Sequence, residues 1–147
     1  MLKKIIKYKD FDGNQREETF YFHIPTTKLF EMEITTPGGF KAMVEQLIQE
    51  QDVEKVLEIF KGFIKASYGI KSPDGKRHMQ SEEIWQDFVT TNAYTKLYME
   101  LVLNAEAGAG FVNGIVDQEQ IDEVYNGTKV PTMGEGEGEL HQLKTEG

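Results

Sequence analysis

The chain contains no cysteine, three serines, three histidines and no long apolar run. Each scarcity removes a class of function. Without cysteine there are no disulfides, thiolate nucleophiles, Cys-ligated zinc or iron–sulfur clusters. The serines are Ser67, Ser72 and Ser81, and none stands in a G-x-S-x-G elbow. The histidines, His23, His78 and His141, fall in a strand, a loop and the tail, none with a partner at metal-ligand spacing on one helix face. Pro37-Gly38-Gly39-Phe40-Lys41 lacks the spacing of a phosphate loop. No apolar run approaches the ~18 residues that cross a bilayer. The opening MLKKIIKYK has only two adjacent isoleucines before charge returns, too few for a secretory signal. These absences predict a cytosolic protein without cofactor or catalytic site.

What is present suffices for a core. Leu, Ile, Val and Phe total 38 of 147 residues, about a quarter, above the roughly one-fifth below which chains tend to stay unfolded. Net charge is −9, which argues against coating nucleic acid. The charge is uneven: residues 117–147 carry eight acids and two lysines, leaving −3 for residues 1–116. The run Gly134-Glu135-Gly136-Glu137-Gly138-Glu139 combines glycine's ordering entropy with mutual repulsion. A domain over 1–116 and an acidic tail over 117–147, disordered beyond 126 with a helical stretch over 117–125, are therefore expected.

The N-terminal segment raises a choice. Asp10-Phe11-Asp12-Gly13-Asn14 looks like the start of a calcium loop. An EF-hand starting there needs Gly at its sixth position and Glu at its twelfth; Gln15 and Tyr21 stand in those places. Ile6 and Tyr8 share one face of an extended segment, as do Phe20, Phe22 and Ile24, with Thr19, Tyr21 and His23 opposite. The reading is a β-hairpin closed by Asp-Gly-Asn.

After Pro25 the period becomes helical. Thr26 or Thr27 is expected to cap a helix through Met32, and Thr36 the next, with Phe40, Val44, Leu47 and Ile48 on one face. Asp52 caps a third helix carrying Val53, Val56, Leu57, Phe60, Phe63, Ile64 and Ser67, ended by Gly69 in a left-handed conformation. Ser72–Gly75 is a turn. Ser81 caps a helix with Glu82 and Glu83 in its positive first turn and Ile84, Trp85 and Phe88 on its apolar side. Thr91 or Asn92 starts a helix over 93–103, and a last one covers 105–116. The fold class is α+β: a β-hairpin, then a mostly helical bundle, then the disordered acidic tail.

Two features suggest contact with a partner. At about 100° per residue, Tyr94, Leu97, Tyr98, Leu101 and Val102 form the core stripe of the 93–105 helix, with Met99 and Leu103 opposite. Burial of that pair under the helix bearing Phe111 and Val112 is the first expectation; a binding surface for apolar helices is the alternative. Lys71, Lys76, Arg77 and His78 make a basic loop that suits an acidic partner, although a solvated turn explains it more simply. Candidate contact residues are thus Met99, Leu103, Phe111, Val112, Lys76 and Arg77.

Several stretches in order, "DFDGNQREETFYFHI", "LFEMEI" with "GGF", "IFKGFIKASYGIKSPDGKRHMQSEEI", "AYTKLYMEL" and "AGAGFVNGI", resemble the tail assembly chaperones of long-tailed, siphovirus-type bacteriophages of Gram-positive bacteria. The most specific element is SYG-x-KS-x-DG-x-R followed by SEE, and the resemblance spans residues 8–116. It departs at His78-Met79-Gln80, where an aromatic and a lysine are usual, and at Val116-Asp117-Gln118, where a proline is usual. The resemblance implies a non-catalytic protein of the host cytoplasm, absent from the mature virion. It implies binding to the aggregation-prone tape measure protein, and to the tail tube protein through a longer product of ribosomal frameshifting. The charge and the absence of long apolar runs add the expectation of no nucleic-acid or membrane partner, and no cofactor is expected; self-association is a further expectation. A reading from another class is an acidic nucleic-acid mimic that inhibits a host defence nuclease. It would need a dense acidic stripe, whereas residues 1–116 interleave their acids with 14 lysines and arginines.

Overall fold

The computed structural model describes residues 1–49 and 52–128. In chain order the elements are β1 (Leu2–Lys9), β2 (Gln15–Phe22), α1 (Thr26–Thr35), α2 (Gly39–Gln49), α3 (Val53–Ser67), β3 (Tyr68–Lys71), β4 (His78–Met79), α4 (Glu82–Val89), α5 (Asn92–Leu103), α6 (Ala105–Gly114) and α7 (Gln118–Thr128). An antiparallel sheet runs in the order β1-β2-β3-β4. The α+β reading, a hairpin followed by helices, is what the structure shows. Two compact units emerge: residues 1–24 with 49–116, and residues 25–48 with the described residues from 117 onward.

In the first unit, β1 and β2 pair from Leu2↔Phe22 to Lys9↔Gln15. Opposed residues share a face, so Ile6, Tyr8 and Phe22 point into the core while Lys3, Lys7 and Lys9 point to solvent. The period-two pattern of residues 18–24 therefore finds its structural cause in one-sided burial. Phe22 lies against Phe88 and Phe111, with ring centroids 5.9 and 5.3 Å away. Tyr68 stacks on Phe88 at 4.2 Å. From α3, Phe60, Phe63, Ile64 and Ser67 are buried, but Val53 of the expected stripe is exposed. The Ser67 hydroxyl donates to Phe63 O at 2.7 Å, so its burial leaves no hydroxyl orphaned.

Three expected caps hold. Asp52 accepts from Glu54 N–H at 3.0 Å, Ser81 from Ile84 N–H at 3.1 Å and Thr91 from Tyr94 N–H at 3.3 Å. Gly69 is a correction. It does not end α3 in a left-handed conformation but continues as β3, opposite Tyr21. Its missing side chain serves a close approach instead, because a Cβ there would stand 2.7 Å from the His78 ring. The strands β3 and β4 escaped the sequence reading, being too short to show alternation.

In the second unit α1 packs with α7, burying Leu29 and Val124. Neither Thr26 nor Thr27 caps α1; Pro25 precedes it and no side chain caps it. The Thr26 hydroxyl instead accepts from Gln120 Nε2 at 3.0 Å. Thr36 ends α1 rather than starting α2. Glu33 reaches back from α1 to accept the N–H of Phe40 at 2.9 Å, and so does the work expected of Thr36. Asp117 and Gln120 exchange hydrogen bonds of 2.9 Å each between side chain and backbone, a capping box that starts α7. This helix covers the stretch expected over 117–125 and runs on to Thr128. The acidic glycine run and His141 lie outside the described residues.

Candidate partner-binding surfaces

Helices α5 and α6 meet at Asn104, which ends one and caps the next, accepting the N–H groups of Glu106 and Ala107 at 3.0 and 3.1 Å. This one linking residue is extended, with φ −130° and ψ 106°, and so breaks the helical path between them. Gly108 then sets the side on which α6 packs: a Cβ there would stand 2.7 Å from Phe60 Cζ and 2.9 Å from Leu101 O. The apolar side of α6 consequently enters the core, and Phe111 and Val112 are each 3% exposed.

Met99 and Leu103 are therefore not covered by α6. They are 45% and 75% exposed, whereas Leu97 and Leu101 are fully buried. The expected burial is overturned, because α6 follows the Leu101 side of α5, opposite the pair. Tyr94, Tyr98 and Val102 of the expected core stripe are half-buried. Phe111 and Val112, named as candidate contacts, are core residues in this structure. The exposed pair, four residues apart on one helix face, is the apolar surface that α5 presents to solvent.

Lys76 and Arg77 are exposed in the turn between β3 and β4. Ser72 and Asp74 hold that turn. The Ser72 hydroxyl donates to Asp74 Oδ1 at 2.7 Å and accepts Arg77 N–H at 3.0 Å. Asp74 also accepts Lys76 N–H at 3.0 Å, and this bond, then the Ser72 hydroxyl, lowers its pKa. The one carboxylate of the turn is thereby engaged with backbone and hydroxyl. Lys71, Lys76 and Arg77 form no ion pair among the described residues.

The hairpin loop is scaffolding. Asp10 accepts from Asp12 N–H at 3.0 Å, Asn14 N–H at 2.8 Å and Arg16 Nε at 2.7 Å. The Arg16 bond is the largest cause of its lowered pKa. Gly13 takes φ of 86° and donates to Asp10 O, closing the turn. Beyond the turn, Tyr8 donates to Glu18 Oε1 at 2.7 Å. Burial first, and that bond second, push the Tyr8 pKa up to about 12. No group of three or more His, Asp or Glu side chains able to hold a metal occurs among the described residues.

The sequence reading missed a meeting of His23 and His78, whose rings lie 5.9 Å apart edge to face. His78 Nε2 is 2.9 Å from Ser67 O, so that nitrogen carries the proton. The 54 residues between the histidines hide the pairing, which only the register of β2, β3 and β4 creates. Ser81 is a helix cap and Ser67 is bonded to its own helix. The acidic stripe that a nucleic-acid mimic would need is not what the outer face of β1 offers, since Lys3, Lys7 and Lys9 line it. No helix among the described residues is long and apolar enough to cross a membrane.

Comparison with known proteins adds one finding. A family model described as phage tail assembly chaperone matches residues 1–144. No curated protein and no solved structure matches the chain significantly.

Proposed function

Since this chain belongs to the phage tail assembly chaperone family, we propose that it binds the tape measure protein and keeps it soluble while the tail tube assembles, acting without catalysis. The observation that carries this reading to named residues is the exposure of Met99 and Leu103 on a helix whose other face is buried. A chaperone for apolar helices needs an apolar patch that its own fold does not use, and methionine adapts to varied partners. The family resemblance supports the tape measure protein as occupant and the tail tube protein as a second partner, reached through a longer frameshifted product. It also supports action in the host cytoplasm and absence from the mature particle. Lys76 and Arg77 are the second candidate contact, for acidic groups of a partner.

Met99→Glu and Leu103→Glu test the reading. Circular dichroism and melting temperature should barely change, because neither side chain is core. Co-purification with co-expressed tape measure protein should fall by about tenfold or more per substitution, since burying such a side chain contributes about 1.5–3 kcal/mol. Folded variants that retain the tape measure protein at the wild-type level would remove this surface from the proposal.

A further inference from the structure

The sheet has an unfinished ladder. Strand β1 covers β2 along its whole length, whereas β3 pairs with β2 only at Tyr21 and Phe22 among the described residues. His23 N–H donates to Ser67 O at 2.8 Å, on the β3 side. Backbone groups alternate direction along a strand, so Tyr21, Thr19 and Glu17 aim theirs the same way. With Tyr21 opposite Gly69, the next bonded pair would join Thr19 to Lys71. That pair is not formed, and Pro73, two residues on, has no N–H to offer. A cleft of about 510 Å³ opens there, between Thr19 and Phe20 on one side and Tyr68, Lys71 and Pro73 on the other.

We propose that this cleft binds an extended segment of a partner protein in which apolar and acidic residues alternate, added as a strand to the free edge of β2. The occupant follows from the walls. A strand beside Thr19 would place alternate side chains on the two faces of the sheet. On the inner face it meets Phe20 and Tyr68, whose rings lie 6.4 Å apart, which suits an apolar side chain. On the outer face it meets Lys71, whose ammonium stands 5.3 Å from the Tyr21 ring centroid. Pro73, at the end of the cleft, opens the turn that carries Lys76 and Arg77, which lie outside the lining and are exposed and without an ion pair among the described residues. Glu18, the carboxylate that also lines the cleft, is engaged by the Tyr8 hydroxyl at 2.7 Å and by Arg16 at 3.6 Å, and Glu17 on the outer face stands opposite Lys7 in the β1 register, so Lys71 is the charge of the lining left for a partner's carboxylate. The site does not depend on the Met99–Leu103 surface, and the two fail separately.

The probe is a seven-residue peptide of alternating Glu and Val, blocked at both ends, with a Lys–Val peptide of the same pattern as control. Binding is read by fluorescence anisotropy of the labelled peptide and by amide hydrogen exchange of the full chain. The Glu–Val peptide should slow exchange at Thr19 and Glu17 at least tenfold and bind more weakly as salt rises. Lys71→Glu, and Thr19→Pro, which removes the N–H aimed into the cleft, should each weaken binding about tenfold while leaving the α5 surface unaffected. The wild-type exchange measurement needs no variant, so misfolding of Thr19→Pro would not blur the outcome. Equal binding of the Lys–Val peptide, no binding of the Glu–Val peptide at millimolar concentration, or Thr19 already protected in the free chain would overturn the proposal.

Discussion

Helices α5 and α6 follow one another through a single residue, and both carry apolar groups on more than one side. They dispose of them differently. In α6 the large side chains, Phe111 and Val112, are buried and a glycine lets the helix approach Phe60. In α5 the stripe of Ala93, Leu97 and Leu101 is buried while Met99 and Leu103 stay out. The same residue type thus has two meanings two positions apart. Leu101 is held by its own fold; Leu103 is available to something else. Composition could not have told them apart, because the difference is set by where α6 lies.

Substituting alanine for each leucine of α5 attacks that contrast directly. Leu101→Ala should lower stability by about 2–5 kcal/mol, from lost burial and the cavity left behind. Leu103→Ala should stay within about 0.5 kcal/mol of wild type. Both values come from chemical denaturation, and equal costs would break the contrast. A smaller effect belongs to the hinge between the helices. Asn104→Ala removes the acceptor for two N–H groups and should cost about 1 kcal/mol; no loss would mean that the cap does not fix where α6 lies. A pH-dependent effect concerns β1, which carries no part of the proposed α5 surface. Tyr8 titrates at about 12 in the fold, above its ordinary value of 10.0. A raised pKa contributes stability that is fully present below pH 10 and is lost as pH rises through 12. Stability should therefore decline across that window, less steeply in Tyr8→Phe; an unchanged slope would contradict the raised Tyr8 pKa.

The legible parts of the fold were those with local causes. The hairpin was readable because Phe20 and Phe22 alternate with polar partners around a turn whose Gly13 has positive φ. Asp52, Ser81 and Thr91 were readable as caps because each needs only an N–H two or three residues ahead. Non-local features were not readable. Glu33 capping α2, the Thr26–Gln120 bond and the His23–His78 meeting all depend on elements brought together by folding. Gly69 misled because a helix stop and a strand crowded by a neighbouring ring both favour glycine. For the candidate site, the angular separation of Met99 and Leu103 from the core stripe was visible at about 100° per residue. Their exposure was not, since it rests on the approach that Gly108 permits.

The central claim is that the exposed side of α5 holds the tape measure protein. Site-specific photo-crosslinking tests it most directly, with a benzophenone amino acid placed at position 103 and, in a control chain, at Val53, an equally exposed apolar position on α3 (75% against 68%). Both chains would be co-expressed with the tape measure protein and irradiated. The account predicts an adduct with the tape measure protein from position 103 and little from position 53. Adducts of equal yield from both positions, or none from 103 while the two proteins still co-purify, would contradict it.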